Sequence, residues 1–418
     1  NSKTGNPRNA ISDFTTCILM NPENEEVYNY LGISYYDIKK FDRAKEALTR
    51  YLKYNSDDGL THYYLGVINE NILDLENAIS HYSQARKFNI NIDDVDRRLG
   101  LIHYNNKNFT ASITPLTDYM INNPDSLAVL EVLADALYSD KKYELSIDAY
   151  QKLYKADASK IDYLMLVSNA FIELNNLSKA KETLYMLFLH GRGSEEVLIM
   201  LANIENQLEN HANAISYYEL AIDEANLNRG ATLSMYYNLA MSYASLGDYS
   251  SALKQFSIAS SMDPNDYEII YQIALCNQEI GEYDESEKNF LIYINQFPED
   301  DMGHYLLGLT YFKKLEYDKA KQHFKSARDI NNFDYLYHHY IGMCNYYENN
   351  YQEAAKNFKK SIQIDATFAN SHYYLSIAYY YIGKNKLSQS EQDKVRMLNY
   401  EQHNMLKEEM KKIKNRQN

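Results

Sequence analysis

The stretch 236–264, YYNLAMSYASLGDYSSALKQFSIASSMDP, reads as two amphipathic helices and the turn that joins them. Tyr236, Leu239, Ala240 and Tyr243 recur at helical spacing and share one face of a first helix. Gly247 marks the turn, because a residue without Cβ takes up positive φ at little cost. Ala252 and Phe256 stand one turn apart on the second helix, and Pro264, which lacks an amide donor, ends the unit. Working outward, the small residue returns every 34 positions as Ala10, Ala44, Ala78, Ser112, Ser146, Ala180 and Ala214. After one slip of four it continues as Ala252, Ser286, Ala320 and Ala354. A bulky residue follows each four places later, from Phe14 and Leu48 to Phe324 and Phe358. A period of this length predicts a solenoid, in which each hairpin covers only its neighbours and function lies on a long surface.

The pattern resembles the tetratricopeptide repeat over roughly residues 5 to 383. Tyr28, Leu31, Gly32, Tyr35, Ala44 and Leu48 carry the likeness in the second copy, and the 236–264 copy carries it most fully. The resemblance implies an all-α, right-handed superhelical solenoid of about eleven to twelve helical hairpins. Four prolines, Pro22, Pro124, Pro264 and Pro298, fall at one phase just past the second helix, and Gly247, Gly281 and Gly383 fall between the paired helices. The expected organisation is a second helix of an incomplete first repeat over 1–24, an N-terminal array over 25–232, a C-terminal array over 233–383, and a capping helix with a basic extension over 384–418.

Composition fits such an array. A chain of 418 residues exceeds an ordinary single core, a limit that a one-dimensional stack avoids. Its 42 tyrosines, with no tryptophan, supply large-residue slots and spill onto the surface. A formal charge of −15 disfavours general binding to a nucleic-acid backbone, which needs a basic stripe. No apolar run is long enough to span a membrane. Residues 1–9 enter at a turn, so Ala10 and Phe14 read as a second helix whose first helix is missing. The expectation is a processed or truncated chain. Its compartment stays open, cytoplasmic, or periplasmic or membrane-anchored if a signal or anchor was removed. Cys17, Cys276 and Cys344 are too few and too spread for a disulfide framework, and Cys276 and Cys344, at one phase two units apart, read as packing residues.

Three irregularities stand out. Residues 221–232 carry an insertion of about one helical turn, read as a lengthened second helix closed by Gly230, and alternatively as a joint between two halves of the array. Pro115, inside a second helix, is expected to kink or break it. Residues 387–415 read as one long amphipathic helix whose last, lysine-rich stretch is solvated or frayed, or a partner helix.

Motifs for phosphate cradles, zinc hydrolysis, nucleophilic elbows or redox pairs do not occur, so no enzyme and no cofactor or metal is expected. His62, His304, His338 and His372 all hold the large-residue slot of a first helix and read as packing histidines. Gly191-Arg192-Gly193-Ser194 reads as a turn at a repeat boundary. The remaining candidate is the concave face of the first helices, at offsets +1, +5 and +8 from the large-residue slot. There the C-terminal part presents an aromatic ladder. Its expected partner-binding residues are Tyr237, Tyr271, Tyr305, Phe312, His339, Tyr346, Tyr373 and Tyr380, with Leu309, Met343 and Ile377 at +5. The family consists of adaptors and scaffolds, so the resemblance implies a non-enzymatic scaffold that holds a protein or peptide partner in this groove. The alternative is a self-associating building block, and a third reading is the targeting arm of an enzyme.

Overall fold

A computed structural model describes residues 7–88, 94–192 and 194–417. Among the described residues there are twenty-four α-helices and no strand. From α2 (Glu25–Asp37) and α3 (Phe41–Leu52) to α22 (Ala369–Tyr381) and α23 (Asn385–Leu398), even-numbered helices are first helices and odd-numbered ones second helices of successive hairpins. The chain forms two compact units, 1–193 and 194–418. The first ends with α11 (Leu177–Leu187) and a π-type turn, Phe188–Arg192, in which Gly191 takes φ of 72°. The second begins at α12 (Glu195–Gln207). The joint considered at 221–232 and the boundary set after 232 therefore lie inside the second unit. The inserted turn lengthens α13 (His211–Asn228) to 18 residues, and Gly230, at φ of 89°, closes it by donating its amide to the Ala225 carbonyl.

Each hairpin is held by one size rule. The slot four residues after the large residue is Gly, Ala or Ser, and the bulky residue of the second helix fills the space above it. A Cβ added at Gly66 would lie 2.6 Å from the Tyr82 ring, and one at Gly342 2.7 Å from the Phe358 ring. Tyr82, Leu116, Tyr150, Phe256, Phe290, Phe324 and Phe358 are all buried to 1% exposure or less, so these contacts form the repeating core.

The turn between paired helices is equally regular. Lys39, Leu73, Lys107, Lys141, Asn175, Glu209, Leu315 and Asn349 take φ between 55° and 63°, and Gly247, Gly281 and Gly383 hold the same place at 77° to 88°. A left-handed residue lets its own amide and the next one turn back onto free carbonyls. Lys39 donates to Tyr36 and Lys40 to Tyr35, and the pattern recurs at Asn349 and Asn350. Only three of these eleven turns use glycine; the other eight place a side chain in a region that favours none.

Two expectations are corrected here. The helix α7 (Phe109–Asn122) runs through Pro115 without a break, because the lost bond affects one carbonyl while its flanking turns stay packed on Leu116 and Ile113. The C-terminal segment is two helices, not one. At Asn399 the backbone becomes extended, with φ −151° and ψ 103°, and α24 (Tyr400–Gln417) follows. Its lysine-rich stretch is helical and docked, with Leu406, Met410 and Ile413 at 5% exposure or less against Val395 and Ile377. Leu406 stands 34 residues after His372, so α24 occupies the place of one more first helix. Met410 fills the slot that is Gly, Ala or Ser in every earlier hairpin, so a further second helix could not close on it.

Candidate functional site: the inner face of the first helices

In the second unit the first helices α14 (Leu233–Ser245), α16 (Tyr267–Ile280), α18 (Asp301–Lys313) and α20 (Tyr335–Tyr347) precede α22. The +1 residues do not stand free on this face. Tyr237 meets the buried ring of Phe256 at 5.6 Å, Tyr271 meets Phe290 at 5.9 Å, Tyr305 meets Phe324 at 5.9 Å and His339 meets Phe358 at 5.6 Å. The same 19-residue spacing recurs four times, so each +1 side chain seals the core of its own hairpin. Burial pushes the Tyr271 hydroxyl up to about 12 and that of Tyr305 further in the same direction. His339 must be removed from the candidate surface. It is 5% exposed, its Nδ1 lies 2.9 Å from the Ser371 Oγ, and burial lowers its pKa to about 3. The +5 residues Met343 and Ile377 are buried as well, because the following first helix lies across them.

What the fold assembles instead is a connected sheet of rings. Phe312 packs edge-on against Tyr317, Tyr340 and Tyr347 at 5.4 to 5.8 Å, and Tyr346 against Tyr347, Tyr351 and Tyr374 at 5.4 to 5.7 Å. Tyr317 stacks flat on Tyr347 at 5.2 Å, and Tyr351 on Tyr381 at 4.2 Å. Tyr373 and Tyr380 close the series against α24, beside Ile377, Leu406 and Met410. Tyr237, Tyr271, Tyr305, Phe312, Tyr346, Tyr373 and Tyr380 are all half-buried. The +2 and +9 residues Tyr340, Tyr347, Tyr374 and Tyr381 belong to the same network, and Tyr347 is its most open ring at 45% exposure. The tyrosine doublets 346–347, 373–374 and 380–381 carry that signal in the sequence.

Other candidate chemistry resolves into packing. His62, His304 and His372 each donate from Nε2 to a carbonyl six residues earlier, at 3.1 Å, which leaves Nδ1 as the accepting nitrogen in His62 and His304, whereas in His372 Nδ1 is a second donor, to the Glu391 carboxylate. That Nδ1 faces His81, His323 and Glu391 respectively, each on the second helix of the same hairpin. His338 is buried at the same slot. Cys276 and Cys344 are free and buried, and burial raises their thiols to about 11 and about 12, away from the reactive range. Among the described residues no group of three or more His, Cys, Asp or Glu side chains could hold a metal ion, and no helix is long and apolar enough to cross a membrane.

Similarity to known proteins follows the same lines. No curated protein sequence matches the chain significantly. A solved structure of Naa15/Naa10 bound to HypK-THB aligns over 94% of this chain and 68% of its own, with a TM-score of 0.50 at 11% identity, a likeness of fold. The C-terminal part of a tetratricopeptide-containing protein from Cytophaga hutchinsonii aligns over 56% of this chain and 94% of its own, with 18% identity and a TM-score of 0.48. MamA from Desulfovibrio magneticus RS-1 aligns over 42% and 96%, with 20% identity and a TM-score of 0.39. Profiles of the tetratricopeptide repeat match residues 31–89, 97–161 and 237–301, and a second such profile matches 194–263. These matches cover more than half of the chain, which belongs to the tetratricopeptide-repeat family.

Proposed function

We propose that the chain is a non-enzymatic scaffold that holds a partner polypeptide against the inner face of α18, α20 and α22. The observation that carries this reading is the ring network around Tyr347, where hydroxyl-bearing aromatics are half-exposed along consecutive first helices. Tyrosine buries area with little loss of side-chain freedom and keeps a hydroxyl for hydrogen bonding, which suits it to interfaces. Partner capture is read with Tyr347→Ala, whose ring is the most exposed, beside Tyr346→Ala. Loss of capture with an unchanged melting temperature in Tyr347→Ala supports the reading. Full capture by that variant sinks it.

The self-associating alternative has less support at the C-terminal end, since Met410 blocks the continuation of the array by another hairpin. Size-exclusion chromatography with light scattering checks it, with a concentration-independent monomer as the expected result.

A further inference from the structure

The inner face is packed with rings, and open clefts lie on the other side, between successive second helices. One of them is lined mainly by cations. Between α19 (Tyr317–Ile330) and α21 (Tyr351–Ile364) runs a cleft of about 310 Å³, floored by Ile341 and Asn345 of α20. From α19 it takes Lys321, Lys325 and Arg328, and from α21 it takes Lys356 and Lys360. Each set follows the spacing of a single helical stripe, so two basic rows face each other along the trough. Glu353 is the one carboxylate in its wall.

These cations are not equally occupied. Lys321 pairs with Asp318 and Glu348, Arg328 with Asp329, and Lys356 with Glu353, contacts that orient the three. Lys325 and Lys360 pair with no carboxylate among the described residues, and both are exposed. The positive field reaches the buried His338 behind the wall, whose pKa is lowered first by burial and further by Lys360 and Arg328. The four carboxylates Asp318, Glu348, Asp329 and Glu353 hold three of the five cations, and Lys325 and Lys360 remain as a local excess of positive charge in a chain of net charge −15.

We propose that this trough is a docking site for an acidic stretch of a partner polypeptide, separate from the inner face. The cations are strung along about 10 Å of helix, the rise of seven residues, and do not converge on one point. That length matches about three residues of extended chain, with carboxylates reaching Lys325 on one wall and Lys360 on the other. The overall negative charge then acts as a filter. An acidic segment is repelled by most of the surface and attracted here, which fixes where it lands.

The test uses the full chain and a fluorescein-labelled hexaglutamate peptide, followed by fluorescence anisotropy at low and high salt. Wild type is expected to bind and to weaken as salt rises. Lys325→Glu/Lys360→Glu is expected to weaken binding by about tenfold or more, as the reversal turns attraction into repulsion. Lys254→Glu/Lys288→Glu, with the same change in net charge on exposed positions outside the cleft, is expected to bind within about twofold of wild type. Circular dichroism reports folding, and if the reversal variant fails to fold, Lys325→Gln/Lys360→Gln is read in its place with a loss in the same direction. Absence of binding by wild type, or equal weakening in both charge-reversal pairs, overturns the proposal. Displacement of the peptide by inorganic phosphate well below the chloride concentration of equal ionic strength also overturns it, as that marks a small-anion site. The Tyr347→Ala variant is expected to bind the peptide normally, so this result stands or falls apart from the inner-face reading.

Discussion

The two units share tyrosines at the +8 position of their first helices, Tyr36, Tyr104 and Tyr138 in the first and Tyr346 and Tyr380 in the second, but differ in the chemistry placed beside them. In the first, Glu70, Glu131 and Asp135 hold +8, +1 and +5 positions and accept hydrogen bonds from tyrosines. Tyr82 donates to Glu70 at 2.6 Å, Tyr150 to Asp135 at 2.5 Å and Tyr163 to Glu131 at 3.0 Å, while Arg98 bridges Glu70 at 2.9 Å and also pairs with Asp94. In the second unit the same offsets begin with amides and end with rings. Asn206 reaches Ser242 at 2.7 Å and Gln278 reaches Thr310 at 2.8 Å, after which Phe312 and Tyr346 join their neighbours by ring contacts. One backbone repeat thus tolerates two ways of tying a first helix to its own second helix and to the next first helix. Polar ties spend hydroxyls on carboxylates, whereas Phe312 and Tyr346 join their neighbours ring to ring.

The largest effect is expected where both units agree. Phe358→Ala empties a fully buried site between hairpins and should cost about 3–5 kcal/mol in urea denaturation, as should Phe324→Ala. Acid comes next. His81 and His323 are held at about 4 and His339 at about 3, in each case mainly by burial, against an ordinary value of 6.5. The unfolded chain therefore binds more protons between these limits. Stability is fully present above about pH 6.5 and falls as the pH drops towards 4, which a series of thermal melts will read.

A smaller effect separates the units. Tyr150→Phe removes the donor to Asp135 and should cost about 1–2 kcal/mol, whereas Tyr346→Phe, whose contacts are to rings, should be close to neutral. Equal costs would erase the distinction drawn between polar and aromatic ties. Smallest is a gain. Leu315 is 69% exposed at φ of 63°, so Leu315→Gly should raise stability by up to about 1 kcal/mol, and Leu73→Gly should do the same in the first unit.

The periodicity made the hairpins, their turns and the closing prolines legible, because each depends on residues close in the chain. Pro22, Pro124, Pro264 and Pro298 do follow second helices, and the lengthened α13 is where the insertion was read. The inner face was legible only in part. Phase alone places His339 and Met343 on it, yet the following first helix covers both, and that depends on helix tilt and side-chain bulk that no local pattern records. The docked end of the chain follows the same local rule, since Leu406, Met410 and Ile413 continue the 34-residue phase beyond Gly383. Lys321, Lys325 and Arg328 likewise sit at the spacing of one stripe, but that they face Lys356 and Lys360 across a cleft needs the packing of two helices.

Recognition through the aromatic end of the second unit is tested most directly by a matched pair of exposed rings. Tyr347→Ala removes a ring from the inner network, and Phe333→Ala removes an 84% exposed ring from the loop before α20. With the same native extract, quantitative capture should fall severalfold in the first and stay at the wild-type level in the second, with both variants melting as wild type does. Equal capture by the two would contradict the account.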